Sequence, residues 1–289
     1  MRPYFRLLRL PYQLQLGPIF AWGYLLGNGS LGSPEAVLRF GLVALLFHIG
    51  AFGGLTALNS FYDRDTGPVG GLWQPPPAPP RLWAFAWIVQ STGFILLLAI
   101  DWRMAVIYAA IVLLALGYSH PRTRWKGHPW ASVLVVALGQ GVLDFAAGAL
   151  TSSGFQISAA LWWGMAGATF IVIGYYPLTQ LYQGEDDMAR GDRTTAAVLM
   201  ERGGRRGVFV WAMCFLGCGI YCNGVALTFS RHPVDALVLL LLGTLFLNYL
   251  DQYKNSSPNR LQDFRMVHNL MRVTALSFGC YVLWRLVSA

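Results

Sequence analysis

The chain has 289 residues, of which 55% are hydrophobic and only 12% are charged. Soluble domains carry about 25% charged residues, so this composition excludes an ordinary water-soluble domain and indicates a protein that lies in lipid. The net charge of +8 is high enough for a nucleic-acid-binding domain. The division of Lys and Arg among short loops explains this charge better, and no nucleic-acid partner is predicted.

Nine apolar segments are interpreted as membrane spans. Residues 1–13, which alternate basic and bulky apolar side chains, are predicted to form an interfacial segment before the first span. The predicted fold class is an all-α integral membrane protein in which a single domain, residues 1–289, surrounds a central cavity. The predicted spans cover residues 14–31, 36–60, 82–100, 104–119, 131–151, 158–180, 207–229, 233–250 and 267–288.

Positive charge is concentrated on one side of this predicted bundle. The opposite side receives only Arg39, Arg103 and Arg231, and two further arginines lie in the last span. Cytoplasmic loops collect Lys and Arg, so the N-terminus and the mouth of the cavity are predicted to face the cytoplasm of a prokaryotic cell. The other sixteen of the 21 Lys and Arg lie in residues 1–13 and in the predicted cytoplasmic loops 61–81, 120–130, 181–206 and 251–266.

Two polar clusters lie where the second and sixth predicted spans end. Asn59 and Asp63 are four residues apart, and a helix therefore presents both side chains on one face. Gln183 and Asp187 have the same spacing, with Glu185 between them. Mg²⁺ prefers oxygen ligands and commonly uses one or two carboxylates together with substrate phosphates. Two such helix ends facing each other would hold a diphosphate through bridging Mg²⁺.

Basic residues near these clusters are expected to balance the remaining charge of a diphosphate. They are Arg124, Lys126, Arg190 and Arg193. A solvated cytoplasmic loop is the alternative interpretation of either cluster taken alone. Both clusters together with the basic loop, on one predicted face, favour a binding site.

The order of these motifs resembles that of the UbiA-type polyprenyl transferase superfamily. That family has N-D-x-x-D-x-x-x-D after span two, Y-S-x-P-P-x-R-x-K after span four and D-x-x-x-D after span six. Ser60 and Gly67 stand where the first motif has aspartates, and Gln183 replaces the first aspartate of the third. The neighbouring acids Asp65, Glu185 and Asp186 are candidates to replace the missing aspartates. The matching residues are Asn59, Asp63, Tyr118, Ser119, Pro121, Arg124, Lys126 and Asp187, and the segment Gly191-Asp192-Arg193-Thr194-Thr195 is similar to the family's G-x-R/K-S/T-T ending.

The resemblance implies a prenyltransferase that moves a polyprenyl group from its diphosphate to a hydrophobic ring acceptor, with Mg²⁺ as cofactor and membrane lipids as surroundings. A lipid-quinone precursor is the expected acceptor. Asp63, Asp187 and Lys126 are assigned to catalysis. The expected metal ligands are Asn59, Asp63, Gln183, Asp187 and Glu185, and the expected substrate contacts are Tyr118, Arg124, Lys126, Arg190 and Arg193.

Two other functions are left open by the sequence. The first is a relative with an impaired metal site that serves as a lipid-binding or assembly subunit. The second is a secondary transporter, although transporters place their sites near the midplane and these acids cluster at one surface.

Asp144 is a charged residue inside the fifth predicted span, where ionisable groups are costly and suggest function. With its neighbours Gln140 and Gly141 it is predicted to form a polar pocket that positions the acceptor. A carboxylate that hydrogen-bonds to another helix for packing explains the same pattern equally well.

Overall fold

The computed structural model describes residues 1–230, 232–257 and 259–288, so Arg231 lies outside the described residues. Within these ranges the chain is helical, and extended pairing is limited to one bridge between Val69 and Leu72. The helices are α1 (Arg2–Leu7), α2 (Leu10–Gln13), α3 (Gly17–Leu26), α4 (Pro34–Asp63), α5 (Leu82–Ile100), α6 (Trp102–Ser119), α7 (Pro129–Thr151), α8 (Ala159–Gln180), α9 (Gly184–Ala189), α10 (Thr195–Phe229), α11 (Pro233–Asp251) and α12 (Arg260–Ser288).

Eight of the described helices are long and apolar enough to cross a membrane: α4 to α8 and α10 to α12. The predicted all-α membrane fold is thus confirmed, whereas the predicted number of nine spans is not. The first predicted span forms the ten-residue α3, and about 1.5 Å of rise per residue makes this helix half the ~30 Å needed to cross.

Helix α3 is buried by close packing on α7. Gly23 lies against the backbone of Phe145, and Gly148 lies against the backbone of Phe20, so a side chain at either glycine would collide with the other helix. This contact brings α3 into the core of the bundle despite its short length.

Residues 1–13 form α1 and α2 and pack more deeply than an interfacial segment would. Leu7 and Leu8 are almost fully buried, in a cluster with Ala57, Leu58 and other side chains of α4 and α5. Between α1 and α2 the backbone of Arg9 is left-handed, with a φ of 51°. This break turns the Arg9 side chain into the bundle.

Two predicted loops contain helix. The segment 181–206 holds α9 and the start of α10, which continues through a kink at Gly204 (φ 58°). The segment 251–266 holds the start of α12 at Arg260. Hydropathy marks the part of a helix that lies in lipid, so it does not locate the end of a helix that continues into water.

A central cavity of about 790 Å³ lies among these helices. Acidic and basic side chains line the part of its wall formed by the end of α4, the α6–α7 loop and α9, and apolar side chains line most of the rest. The aromatic residues of the wall are Tyr12, Trp22, Phe52, Tyr118, Tyr175, Tyr176, Tyr182, Phe246, Phe278, Tyr281 and Trp284.

Candidate active site

The end of α4 presents Asn59 and Asp63 to the cavity. The amide Nδ2 of Asn59 donates to Asp63 Oδ2 over 2.9 Å and to Ser119 Oγ over 3.1 Å. The Asp63 side chain is 4% exposed, and its Oδ1 has no hydrogen-bond partner. The helix ends at Asp63 because Arg64 is left-handed, with a φ of 49°. The four-residue spacing therefore brings the two side chains together, as expected.

The basic loop between α6 and α7 approaches the same carboxylate. Lys126 Nζ forms an ion pair with Asp63 Oδ2, and Arg124 Nη1 lies 3.6 Å from Asp63 Oδ1. Arg124 also makes a bidentate pair with Asp192, with Nε–Oδ1 and Nη2–Oδ2 distances of 2.6 and 2.8 Å. A planar guanidinium held in this way has little freedom, so its position beside Asp63 is fixed.

Helix α9 carries Asp187 to the same part of the cavity. Its Oδ1 accepts a hydrogen bond from Arg190 Nη2 over 2.6 Å. The guanidinium of Arg190 also lies 3.3 Å from Asp65 Oδ1 and 3.7 Å from Asp192 Oδ2. Burial raises the pKa of Asp187 to about 6, and the hydrogen bond from Arg190 opposes this shift. Arg190 thus joins the two acidic clusters.

Two further predicted residues line this part of the cavity. Gln183 donates from Nε2 to the Thr179 carbonyl over 2.7 Å, which leaves its amide oxygen as the group that it can offer to a cation. The hydroxyl of Tyr118 lies 3.0 Å from that of Tyr176. Both tyrosine rings form part of the wall next to the acidic clusters.

Four predicted site residues do not line the cavity, and Arg124, which reaches the site through its contact with Asp63, is the first of them. The Glu185 side chain is 81% exposed and lies 3.6 Å from Arg260. Glu185 precedes Asp187 by two positions, about 200° around a helix, and therefore points away from the cavity. Arg193 is 65% exposed and pairs with Glu201 at 2.8 Å. The positions of Glu185 and Arg193 give no support to the roles of metal ligand and substrate contact.

Asp144 is the fourth of these residues. Its side chain is fully buried in α7, and neither carboxylate oxygen has a hydrogen-bond partner. Gln140, one turn earlier, does line the cavity. The position of Asp144 therefore gives no support to a pocket for the acceptor around its carboxylate.

The structure adds Arg9 to the site, which the sequence analysis did not assign to it. Arg9 lines the cavity, donates from Nη2 to Ser60 Oγ over 2.8 Å and lies 3.7 Å from Asp65 Oδ2. Burial lowers the pKa of Arg9, and the charge of Asp65 opposes this. No spacing rule relates residue 9 to residue 60, so only tertiary packing reveals the contact.

The donor atoms of this site fit a hard divalent cation. Among the described residues no group of three or more His, Cys, Asp or Glu forms a closed metal site. Mg²⁺ does not need one, since it commonly uses one or two carboxylates and completes its shell with water and phosphate oxygens. Two buried carboxylate oxygens, Asp63 Oδ1 and Asp65 Oδ2, lack hydrogen-bond partners and are ligands of the type that Mg²⁺ prefers.

Comparison of the sequence with known families identifies the class of protein. The model of the UbiA prenyltransferase family matches residues 16–271. The chain therefore belongs to the UbiA prenyltransferase family, whose members are integral membrane enzymes. No sequence among the curated proteins matches it.

Solved structures share the fold at low sequence identity. A UbiA homologue from Archaeoglobus fulgidus bound to Cd²⁺ is similar with a TM-score of 0.67 and 19% identity, over 97% of this chain and 99% of that one. The same homologue bound to GPP and Mg²⁺ gives a TM-score of 0.66, with the same identity and coverage. A digeranylgeranylglyceryl phosphate synthase gives a TM-score of 0.65 at 14% identity, over 98% of both chains.

Proposed function

We propose that this protein transfers a polyprenyl group from its diphosphate to a hydrophobic ring acceptor, with Mg²⁺ as cofactor. The observation that carries the proposal is the convergence of Asp63, Asp187, Lys126 and Arg190 on one polar end of a large aromatic-lined cavity. A prenyl diphosphate has the same division into a charged head and a long apolar tail. The A. fulgidus homologue, which has this fold, binds GPP together with Mg²⁺.

The carboxylate and amide oxygens of Asn59, Asp63, Gln183 and Asp187 would hold the cation. When bound, Mg²⁺ supplies Lewis-acid chemistry, because it neutralises charge on phosphate oxygens. Lys126, whose ammonium already lies at the Asp63 carboxylate, would donate to the diphosphate.

Arginine residues complete the proposed diphosphate site. Arg124 and Arg190 would bind the remaining phosphate oxygens through N–H groups that their pairs with Asp192 and Asp187 hold in place. Fixed donors of this kind stabilise the charge that develops on a leaving group.

The lining of the cavity favours ionisation of the prenyl diphosphate and transfer of the prenyl group. The bond between C1 of the prenyl group and the diphosphate oxygen breaks, and its electron pair leaves with the diphosphate. The allylic cation faces a wall that includes the rings of Tyr118 and Tyr176, and aromatic faces stabilise cations. The acceptor then forms a new bond to C1 and loses a proton, and the apolar walls limit competing attack by water.

For the acceptor we propose an aromatic ring of a lipid-quinone precursor. The support is the aromatic character of the wall, which suits a planar apolar ring. A digeranylgeranylglyceryl phosphate synthase shares the fold, so a glycerol phosphate is the comparison acceptor in any test. The concentration of Lys and Arg in the loops around the site supports its location on the cytoplasmic side of a prokaryotic membrane.

Diphosphate release by the purified protein in lipid tests this function. Geranylgeranyl diphosphate is offered with aromatic acceptors or with glycerol phosphates, with and without Mg²⁺. Release that requires both Mg²⁺ and an aromatic acceptor is the expected result. Release with a glycerol phosphate alone would refute the acceptor class. Mg²⁺-dependent binding without release under any condition would instead identify a lipid-binding subunit.

A further inference from the structure

The chain lacks two of the acids that the first motif of its family carries, at Ser60 and Gly67. Asp65 lies near these two positions in the sequence, and Glu185 and Asp186 lie near Gln183, which replaces an acid of the third motif. The structure distinguishes among these three by burial, by partner and by the direction in which each side chain points.

Asp186 forms an ion pair with Arg260 instead of facing the cavity. Its Oδ2 pairs with Arg260 Nη2, its side chain is 28% exposed, and it does not line the cavity. Gly67 lies against this pair, and a Cβ added at Gly67 would collide with Asp186 Oδ2 and Arg260 Nη2. A side chain at position 67 would therefore have to displace the ends of these two side chains. Glu185 is excluded by its exposure to solvent.

Position 60 carries no charge and is occupied by a contact with a buried arginine. The Ser60 hydroxyl is buried and accepts the hydrogen bond from Arg9 Nη2. An aspartate at position 60 would pair with this guanidinium.

Asp65 meets the requirements that the other two acids fail. Its side chain is 8% exposed, it lines the cavity, and its Oδ2 has no hydrogen-bond partner. Its Oδ1 lies 3.3 Å from the Nη1 of Arg190, the residue that also holds Asp187. Asp65 is therefore close to the second acidic cluster as well as to Asp63.

The backbone explains how Asp63 and Asp65 line the same cavity. On a continuous helix, side chains two residues apart point about 200° apart. Here α4 stops at Asp63, and the left-handed Arg64 changes the direction of the chain before Asp65. With this change of direction, both residues line the cavity.

We propose that Asp65 is a ligand of the divalent cation that binds the prenyl diphosphate, in place of the acids missing at positions 60 and 67. This inference rests on the proposed function. Asp65 provides a negative charge that the amide of Gln183 does not, and Arg9 partly neutralises it at a distance of 3.7 Å. The first metal-binding segment of this chain is then Asn59-x-x-x-Asp63-x-Asp65 rather than the spacing of its family.

A change of metal preference tests the ligand role directly. Asp65→Cys replaces a hard oxygen ligand by a thiolate, which favours Cd²⁺ over Mg²⁺. Binding of a geranylgeranyl thiolodiphosphate, which does not react, is measured in lipid nanodiscs against rising Mg²⁺ or Cd²⁺. Asp186→Cys is the matched control, and the wild type shows any effect of the native cysteines.

The expected result is that Asp65→Cys raises the Mg²⁺ concentration for half-maximal binding by at least about tenfold, while Cd²⁺ restores binding. Asp186→Cys should resemble the wild type with both metals. Wild-type dependence on Mg²⁺ in Asp65→Cys would overturn the proposal. Loss of binding with both metals would also overturn it, because Asp65 would then act only through Arg9 and Arg190.

A second variant distinguishes the loss of a metal ligand from a folding defect. Asp65→Asn preserves the size of the side chain, and its requirement for Mg²⁺ should also rise at least about tenfold. An unchanged requirement would overturn the proposal. Failure of the wild type to bind the analogue with any metal would refute the proposed function itself, so the two failures are distinguishable.

Discussion

Lys126 and Asp63 form an ion pair at the polar end of the cavity, although they are 63 residues apart in the sequence. Both side chains are buried, and removal of one partner from a buried pair leaves an uncompensated charge. The residue proposed to bind diphosphate and the residue proposed to bind metal are thus direct neighbours. Substitution of Asp63 is therefore expected to affect metal binding, and substitution of Lys126 is expected to affect diphosphate binding.

Loss of either principal carboxylate should abolish turnover. Asp63→Ala and Asp187→Ala are each expected to reduce diphosphate release by at least about 100-fold, since each removes a ligand of the Mg²⁺ that would neutralise the leaving diphosphate. Asp263→Ala is a matched control, because Asp263 is a buried acid that pairs with Arg205 and does not line the cavity. A melting curve in lipid verifies folding, and release at the wild-type rate from either variant would remove the metal assignment.

Lys126→Ala should act mainly on substrate binding. A charge-assisted hydrogen bond contributes about 1.5–3 kcal/mol, so the KM for prenyl diphosphate should rise about tenfold or more. The exposed Arg122 of the same loop provides the control Arg122→Ala. An unchanged KM in Lys126→Ala would contradict a diphosphate contact.

The buried Arg9 should contribute to the same binding step. Arg9→Met preserves most of the apolar stem and removes the charge that faces Ser60 and Asp65. We expect a KM for prenyl diphosphate that is about tenfold higher. Arg6→Met, at an exposed residue of the same segment, should have little effect. Equal KM values for the two variants would place Arg9 outside the binding site.

The variant Asp144→Asn distinguishes a role in binding the prenyl acceptor from a role in helix packing. Asp144 is fully buried and does not line the cavity, so we expect the KM for the acceptor to stay within about twofold of the wild-type value. The melting temperature reports any effect on packing. A large rise in the acceptor KM without a change in melting temperature would instead support the pocket predicted from the sequence.

The fold was largely predictable because lipid imposes a simple rule on composition. The apolar runs predicted most ends of α4 to α8 and of α10 to α12 to within a few residues. Hydropathy failed at α3, whose ten residues are apolar but too short to span. It also failed at Thr195 and Arg260, where α10 and α12 begin in polar sequence.

The candidate site was predictable only where local geometry determines it. The spacing of Asn59 and Asp63 predicts one helical face, and the side chains are hydrogen-bonded to each other. The contact of Arg9 with Ser60 spans 51 residues, so no local rule could reveal it. The direction of Asp65 depends on the single left-handed residue Arg64, which no turn residue such as Gly or Asn marks.

The position of the bound cation is the most direct test of the proposed metal site. Crystals grown with Mn²⁺ in place of Mg²⁺, and with geranylgeranyl thiolodiphosphate, would locate the metal by anomalous diffraction. If the carboxylates of Asp63 and Asp187 hold the metal, anomalous peaks lie between them and the diphosphate. A diphosphate bound by basic residues alone, with no metal at either carboxylate, would contradict the proposed metal site.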